Sequence, residues 1–182
     1  MAMMTMQMGG LTVATLGWLG SILTCGLPMW KVMTFIGSSI AGGQMFCEGL
    51  WMNCVYDSAG QMQCKDYDSL QELPTDIQAA RAMVVTSIFV SFFAFLIALT
   101  GADYTRCMNG NGTKSRYSVA AGALFITAST LLLIPVSWSA NTVVGNFYNP
   151  MALDAPRREV GAALYIGWIS SALLLIGGSI LC

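Results

Sequence analysis

The sequence predicts a mainly α membrane protein: a bundle of four transmembrane helices carrying a small extracellular antiparallel β-sheet. Three observations predict it. Hydrophobic residues make up 55% of the 182 residues and charged residues only 9%, against about 25% charged in ordinary soluble domains. Four uncharged stretches lie at 1–30, 82–102, 117–153 and 160–182. Between the first and second of them lies a long, Gly-punctuated, strand-forming loop with three of the six cysteines.

So little polar surface cannot coat a soluble globule of this size, which argues against a soluble enzyme. Eight basic and nine acidic residues give a net charge of −1, so no basic field exists to hold nucleic acid. The chain contains no histidine, the commonest general base and metal ligand. No nucleophile–base pair or metal cluster stands out, so no catalytic residue, metal site or cofactor is expected. The thirteen methionines read as packing fill rather than metal ligands.

Crossing a bilayer takes about 20 apolar residues, and one mid-membrane charge costs roughly 2.5–3.5 kcal/mol on the insertion scale. Spans are therefore expected at about 8–29, 80–102, 117–138 and 161–182. A soluble four-helix bundle is the alternative, but it needs polar helix faces that are missing. Residues 1–8 lack the basic start of a signal peptide, so the first span is expected to be retained. The connections are then a first loop at 30–79, a short loop at 103–116 and a third at 139–160. Pro135 lacks a backbone donor and is expected to bend the third helix.

Four spans put both termini on one side. Positive residues decide the side poorly, because every loop carries some. The cysteines decide more firmly. Cys54 and Cys64 flank a hairpin-like segment, with Val55-Tyr56 outbound, Ser58-Ala59-Gly60 turning and Gln61-Met62-Gln63 returning. A disulfide across it is geometrically easy, would contribute ~2–3 kcal/mol and requires an oxidising compartment. Two free cysteines are the alternative. With the disulfide, the first and third loops are extracellular, and 103–116 and both termini are cytoplasmic. Cys47 is left over. The sequon Asn111-Gly112-Thr113 then faces the cytoplasm and carries no sugar.

Within the first loop, 33–36 and 50–56 read as strands, with Gly37, Gly42, Gly43, Gly49 and Gly60 as turns or bulges. Residues 70–73, before Pro74, suggest a helical turn. About fifty residues outside a membrane bury little core alone, so a sheet standing on the bundle is the economical solution. Register through positions 54 and 64 sets Asp57 opposite position 61 and Asn53 opposite Lys65. Asp57 and Lys65 then share a face, on the order of 13 Å apart, while Asp66 takes the opposite face unless a bulge intervenes.

Trp30, Gly49-Leu50-Trp51, Cys54, Cys64 and Arg81 together resemble the W–GLW–C–C signature of the claudins, four-span proteins of tight junctions. Ala79-Ala80-Arg81-Ala82, Pro135-Val136-Ser137-Trp138, Phe147-Tyr148-Asn149-Pro150 and Gly161-Ala162-Ala163-Leu164-Tyr165-Ile166-Gly167-Trp168 extend the likeness over nearly the whole chain. The resemblance implies a left-handed bundle, a plasma-membrane location at the tight junction, and no catalysis. It implies polymerisation with itself and other claudins, in cis and in trans, into strands that seal the paracellular space or form ion-selective pores through it. The alternative is an auxiliary subunit of a membrane receptor or channel, as in the related calcium-channel gamma and peripheral myelin proteins.

Residue by residue, the resemblance implies charge selectivity at Asp57, Lys65 and Asp66. Residues 31–80 hold two bases and six acids, a net of −4, which leans towards a cation-favouring pore. It implies a lateral contact in which Leu70 enters a pocket made by Phe147, Tyr148 and Val160, although Gln71-Glu72 stand where apolar residues are usual. Asn149, Pro150, Met151, Ala152 and Leu153 match a segment that binds Clostridium enterotoxin, with Met151 and Ala152 smaller or less branched than usual. Cys107 and Cys182 suit palmitoylation beside membrane lipid, and Tyr104 replaces a second inner cysteine. PDZ scaffolds bind the family's cytoplasmic tail and are expected as partners only where such a tail is present.

Overall fold

The computed structural model describes residues 2–34, 44–57, 59–68, 73–101, 111–147 and 157–182. Helix α1 covers Ala2–Gly26, and strands β1 Lys31–Thr34, β2 Met45–Glu48, β3 Met52–Tyr56 and β4 Met62–Asp66 follow. Then come α2 Thr75–Gly101, α3 Asn111–Phe147, β5 Arg157–Val160 and α4 Ala162–Leu181. Each helix is long and apolar enough to cross a membrane.

The helices invert the soluble pattern. Large apolar side chains point outward: Leu23 is 57% exposed, Phe89 59% and Ile169 62%. Small and hydroxylic residues, among them Ala14, Ser21, Thr24, Ser87, Ser91 and Ser129, share the interior with Phe125, Leu132 and Leu174. Lipid tails are as apolar as leucine, so burying leucine between helices gains little there. Close backbone approach and interhelical hydrogen bonds hold the bundle instead. Ser87 donates to the Ala128 carbonyl at 2.7 Å, tying α2 to α3. Ser129 donates to the Ser171 carbonyl at 2.7 Å, and Ser118 to that of Leu181 at 2.9 Å, tying α3 to α4. The Trp18 indole donates to the Ile88 carbonyl at 3.2 Å, from α1 to α2.

The α1–α4 seam is packed backbone to backbone. A Cβ added at Gly177 would sit 2.6 Å from the Ala14 backbone nitrogen, and one at Gly17 would sit 2.8 Å from that of Leu174. Neither neighbour is a flexible side-chain end, so relief requires the helices to separate.

The five strands form one antiparallel sheet in the order β4-β3-β2-β1-β5. Hydrophobicity and charge marked the lipid-facing parts, and the helices overrun them. α1 starts at Ala2, α2 at Thr75, and α3 runs from Asn111 through Pro135 to Phe147. A helix once nucleated propagates beyond the lipid-facing part, into water, where charge carries no insertion cost. Strand β5 is an element that sequence reading treated as plain loop. Four residues, two of them arginine, carry no alternation; β5 exists because β1 offers it a free edge. The expected helical turn at 70–73 lies largely outside the described residues.

Replacing Gly177 with Ala is expected to lower the thermal unfolding midpoint in detergent, by the equivalent of about 1–3 kcal/mol of overpacking. Gly9→Ala, where a Cβ meets nothing within 4 Å, serves as the control and is expected to leave the midpoint unchanged or raise it by the equivalent of up to about 1 kcal/mol of helix propensity.

Candidate functional site

The site is the five-stranded sheet and the joint that mounts it on the bundle. Residues Gly49, Leu50 and Trp51 form the tight link between β2 and β3, closed by the Gly49 N–H donating to the Met52 carbonyl at 3.0 Å. A Cβ at Gly49 would lie 2.6 Å from Pro28 Cα, so this link presses against the chain leaving α1. Leu50 is fully buried under the sheet, in one apolar cluster with Trp30, Leu73, Ile77 and Leu164.

Arg81, near the start of α2, locks the link from the side. Its Nε and Nη2 both donate to the Leu50 carbonyl, at 3.0 and 2.5 Å. Its guanidinium lies 4.4 Å from the centre of the Trp51 ring, and the Trp51 indole donates to Cys25 Sγ at 3.3 Å. Trp30 is the second anchor. Its indole donates to the Thr24 carbonyl at the end of α1, at 2.8 Å. Its N–H donates to the Glu48 carbonyl at 2.8 Å, and its carbonyl accepts from Gly161 at 3.2 Å. Gly161 must be small: a Cβ there would overlap the Met29 carbonyl oxygen at 1.9 Å.

Tyr67 is a third support that the sequence did not advertise, since a lone tyrosine after a strand carries no periodic signal. Its hydroxyl donates to Asn53 Oδ1 at 2.5 Å and lies 3.2 Å from the Gly49 carbonyl. Burial, with Glu48 nearby, pushes this hydroxyl's pKa up to about 12, against the lowering influence of Arg81.

The β3–β4 hairpin carries the charge residues. Cys54 and Cys64 are bonded, with their Cα atoms 4.0 Å apart, and pairing runs unbroken from Met52–Asp66 to Tyr56–Met62. The turn closes through the Asp57 N–H to the Gln61 carbonyl at 3.0 Å and the Gly60 N–H to the Asp57 carbonyl at 2.8 Å. Gly60 has φ 76°, the left-handed position that ends a three-residue hairpin loop. There is no bulge in the ladder. By strand alternation, Asn53 and Lys65 therefore face away from the disulfide, and Asp66 shares the disulfide's face. Asp57 continues the alternation onto the Lys65 face and is exposed. Lys65 Nζ lies 3.0 Å from Asp68 Oδ2, both side chains largely in solvent. A hollow of about 640 Å³ opens on the sheet, floored by Met33, Phe46 and Val55 and edged by Glu48, Gln63 and Lys65.

The structure thus brings Trp30, Gly49, Leu50, Trp51 and Arg81 into one joint, and mounts Asp57 and Lys65 on one face of the hairpin it supports. Val160 ends β5, half-buried and opposite Lys31. Phe147 is the last residue of α3, and its side chain is outside the described set. Leu70, Tyr148, Asn149, Pro150, Met151, Ala152, Leu153 and Cys107 lie outside the described residues. Cys182 is exposed at the end of α4.

Comparison with known proteins decides the family. The model of the PMP-22/EMP/MP20/Claudin family matches residues 4–181. The chain belongs to this family. It is 54% identical over 179 residues to Claudin-3 of Canis lupus familiaris, covering 98% of this chain and 82% of the relative. It is 50% identical over 182 residues to Claudin-4 of Bos taurus, covering 100% and 87%. A Claudin-like protein, ZF-A89 of Danio rerio, is 52% identical over 182 residues, covering 100% and 88%. The claudin resemblance in the W–GLW–C–C residues therefore holds along the whole chain. It makes the protein a multi-pass membrane protein of tight junctions, a structural component and not an enzyme, interacting with other claudins there.

Two outcomes follow from the joint. Arg81→Lys keeps a charge but loses the two-pronged bond and the planar stack, and is expected to cost about 1–3 kcal/mol. Tryptophan-fluorescence unfolding in detergent measures it, with Arg81→Ala expected to cost at least as much. The raised Tyr67 value means the folded state favours the neutral phenol. Its contribution is complete below the ordinary value of 10 and is lost as pH rises towards about 12. Wild type is therefore expected to lose stability between pH 10 and 12 more steeply than Tyr67→Phe, as read by unfolding midpoints across that window.

Proposed function

We propose that this claudin polymerises with itself and with other claudins, in cis and in trans, and that its extracellular sheet lines a paracellular passage favouring cations. Both termini and residues 103–116 are cytoplasmic in this reading, and 30–79 and 139–160 face the gap between cells. The observation that carries it is the placement of Asp57. It stands exposed at the tip of a hairpin whose register a disulfide and a five-strand ladder fix. The one base on that hairpin, Lys65, is matched locally by Asp68 at 3.0 Å. An exposed ion pair contributes little stability, but it cancels the Lys65 field at short range. Asp57 on one face and Asp66 on the other then leave the hairpin net acidic, and a narrow low-dielectric passage focuses that field on passing cations.

Lateral growth of the strand is assigned, by resemblance, to Leu70 docking against Phe147, Tyr148 and Val160 of a neighbour. Supporting this, Val160 is tied into β5 and adjoins Gly161, whose N–H bonds to Trp30, so one wall of such a pocket is rigid. Residues 149–153 are a candidate contact for Clostridium enterotoxin. Cys107 and Cys182 are candidate palmitoylation sites, and Cys182 supports this with an exposed thiol at the inner end of α4.

Expression in a junction-poor epithelial monolayer tests the charge reading through dilution potentials. Wild type is expected to favour sodium over chloride, and Asp57→Lys to reduce or reverse that preference with strands intact in freeze-fracture images. An unchanged preference removes Asp57 from the pore. Sugar on Asn111 would invert the topology and defeat the reading as a whole.

A further inference from the structure

Cys47 has no role in the joint or in the charge pattern, yet its position is specific. Cys47 on β2 is the register partner of Cys54 on β3, and Cys54 is the partner of Cys64 on β4. Cross-strand partners share a face, and neighbouring strands lie about 4.8 Å apart. The three cysteine side chains therefore leave one face of the sheet side by side, with Cys54 in the middle. A thiol–disulfide exchange needs the attacking, central and leaving sulfurs roughly in line, and this row supplies that order.

The spacing suits a bond on either side of Cys54. The Gly49–Met52 and Asp57–Gln61 hydrogen bonds set the alternation of the two ladders. Counting from them, Cys47 and Cys54 form a hydrogen-bonded pair, with Cα atoms about 5.5 Å apart. That Cα separation lies inside the 4.4–6.8 Å span a disulfide bridges, and the side chains of a hydrogen-bonded pair must close by about 1 Å to bond. Cys47 is a free cysteine and only 2% exposed, while Cys64 lies exposed on the edge strand.

We propose that Cys47 is an internal exchange thiol for the Cys54–Cys64 disulfide, taking over Cys54 and releasing Cys64 as a thiol on the outer edge of the sheet. The Cys47 thiolate attacks Cys54 Sγ, and a Cys47–Cys54 bond forms. The Cys54–Cys64 bond breaks with its electron pair leaving on Cys64 Sγ. The proton lost by Cys47 ends on Cys64, so the step is redox-neutral and needs no other reactant. Burial holds the Cys47 thiol in its protonated form, which makes the exchange slow, on the minutes-to-hours scale of uncatalysed rearrangement. Its consequence is mechanical. The covalent tie moves from β3–β4 to β2–β3, and β4, which carries Lys65 and Asp66, is then held by hydrogen bonds alone. The inference rests on the cysteine register and is independent of ion selectivity.

The test labels intact cells expressing the full chain with a membrane-impermeant maleimide, followed by peptide mass mapping. Wild type is expected to accumulate label on Cys64 over minutes to hours, together with a Cys47–Cys54-linked peptide. Cys47→Ala and Cys47→Ser are expected to reduce Cys64 labelling at least tenfold. Cys64→Ser is expected to carry a Cys47–Cys54 bridge, and Cys54→Ser to leave Cys47 and Cys64 unbridged because a strand separates them. Unlabelled Cys64 in wild type, equal labelling without Cys47, or free thiols at 47 and 54 in Cys64→Ser would each overturn the proposal. If neither Cys47 variant reaches the surface, the bridge in Cys64→Ser decides.

Discussion

The structure depends on one joint, where the Arg81 guanidinium of α2 holds the Leu50 carbonyl of the β2–β3 link. A sheet of short strands has too little core to stand alone in water. It gains one by sharing the apolar cluster at the top of the bundle, through Leu50 and Trp30. Burying the link leaves the Leu50 carbonyl without water, and an unmet buried carbonyl is costly. Arg81 meets it with two donors and covers Trp51 with the same group. The charge of Arg81 lies just before the charge-free stretch 82–102 and is satisfied by the Leu50 carbonyl and the Trp51 ring.

Two solvents impose two packing rules on the one chain. In lipid, Gly17, Gly177 and the buried serines bring backbones together, because apolar bulk is no better off between helices than in the bilayer. In water, the sheet relies on ladder pairing, the Cys54–Cys64 bond and burial of Leu50. The segment from Pro28 to Trp30 is where the rules meet. There the contacts become main-chain to main-chain, with Trp30 bonded to Glu48 and Gly161 and Ala163 bonded to Met29. Side chains have no room at this seam, so Gly49 and Gly161 occupy it.

A rigid mount matters for the proposed role, in which the sheet places charges. The first loop connects to α1 and α2, and the last strand, β5, connects α3 and α4 to the free edge of β1. All four helices thus converge on one sheet. The hairpin carrying Asp57 and Lys65 projects from the far side of that sheet, at β3 and β4. The position of a charge at its tip therefore follows the orientation of the bundle, which the bilayer sets.

The sequence by itself determined what each stretch could tolerate. Charge-free runs marked the lipid-embedded segments, because a mid-membrane charge is prohibitive. Cysteine spacing and the Gly60 turn marked the 54–64 hairpin and its register, because both constraints are local. Only the tertiary structure decided which partners those stretches meet. The pairing of β5 with β1 and the support from Tyr67 arise between residues distant in the chain, and the alignment of Cys47 with the disulfide arises from the β2–β3 register. Such contacts leave no periodicity behind. Trp30, Leu50 and Arg81 were recognisable as a set only by their likeness to a family, since nothing in their spacing says that one carbonyl needs one guanidinium.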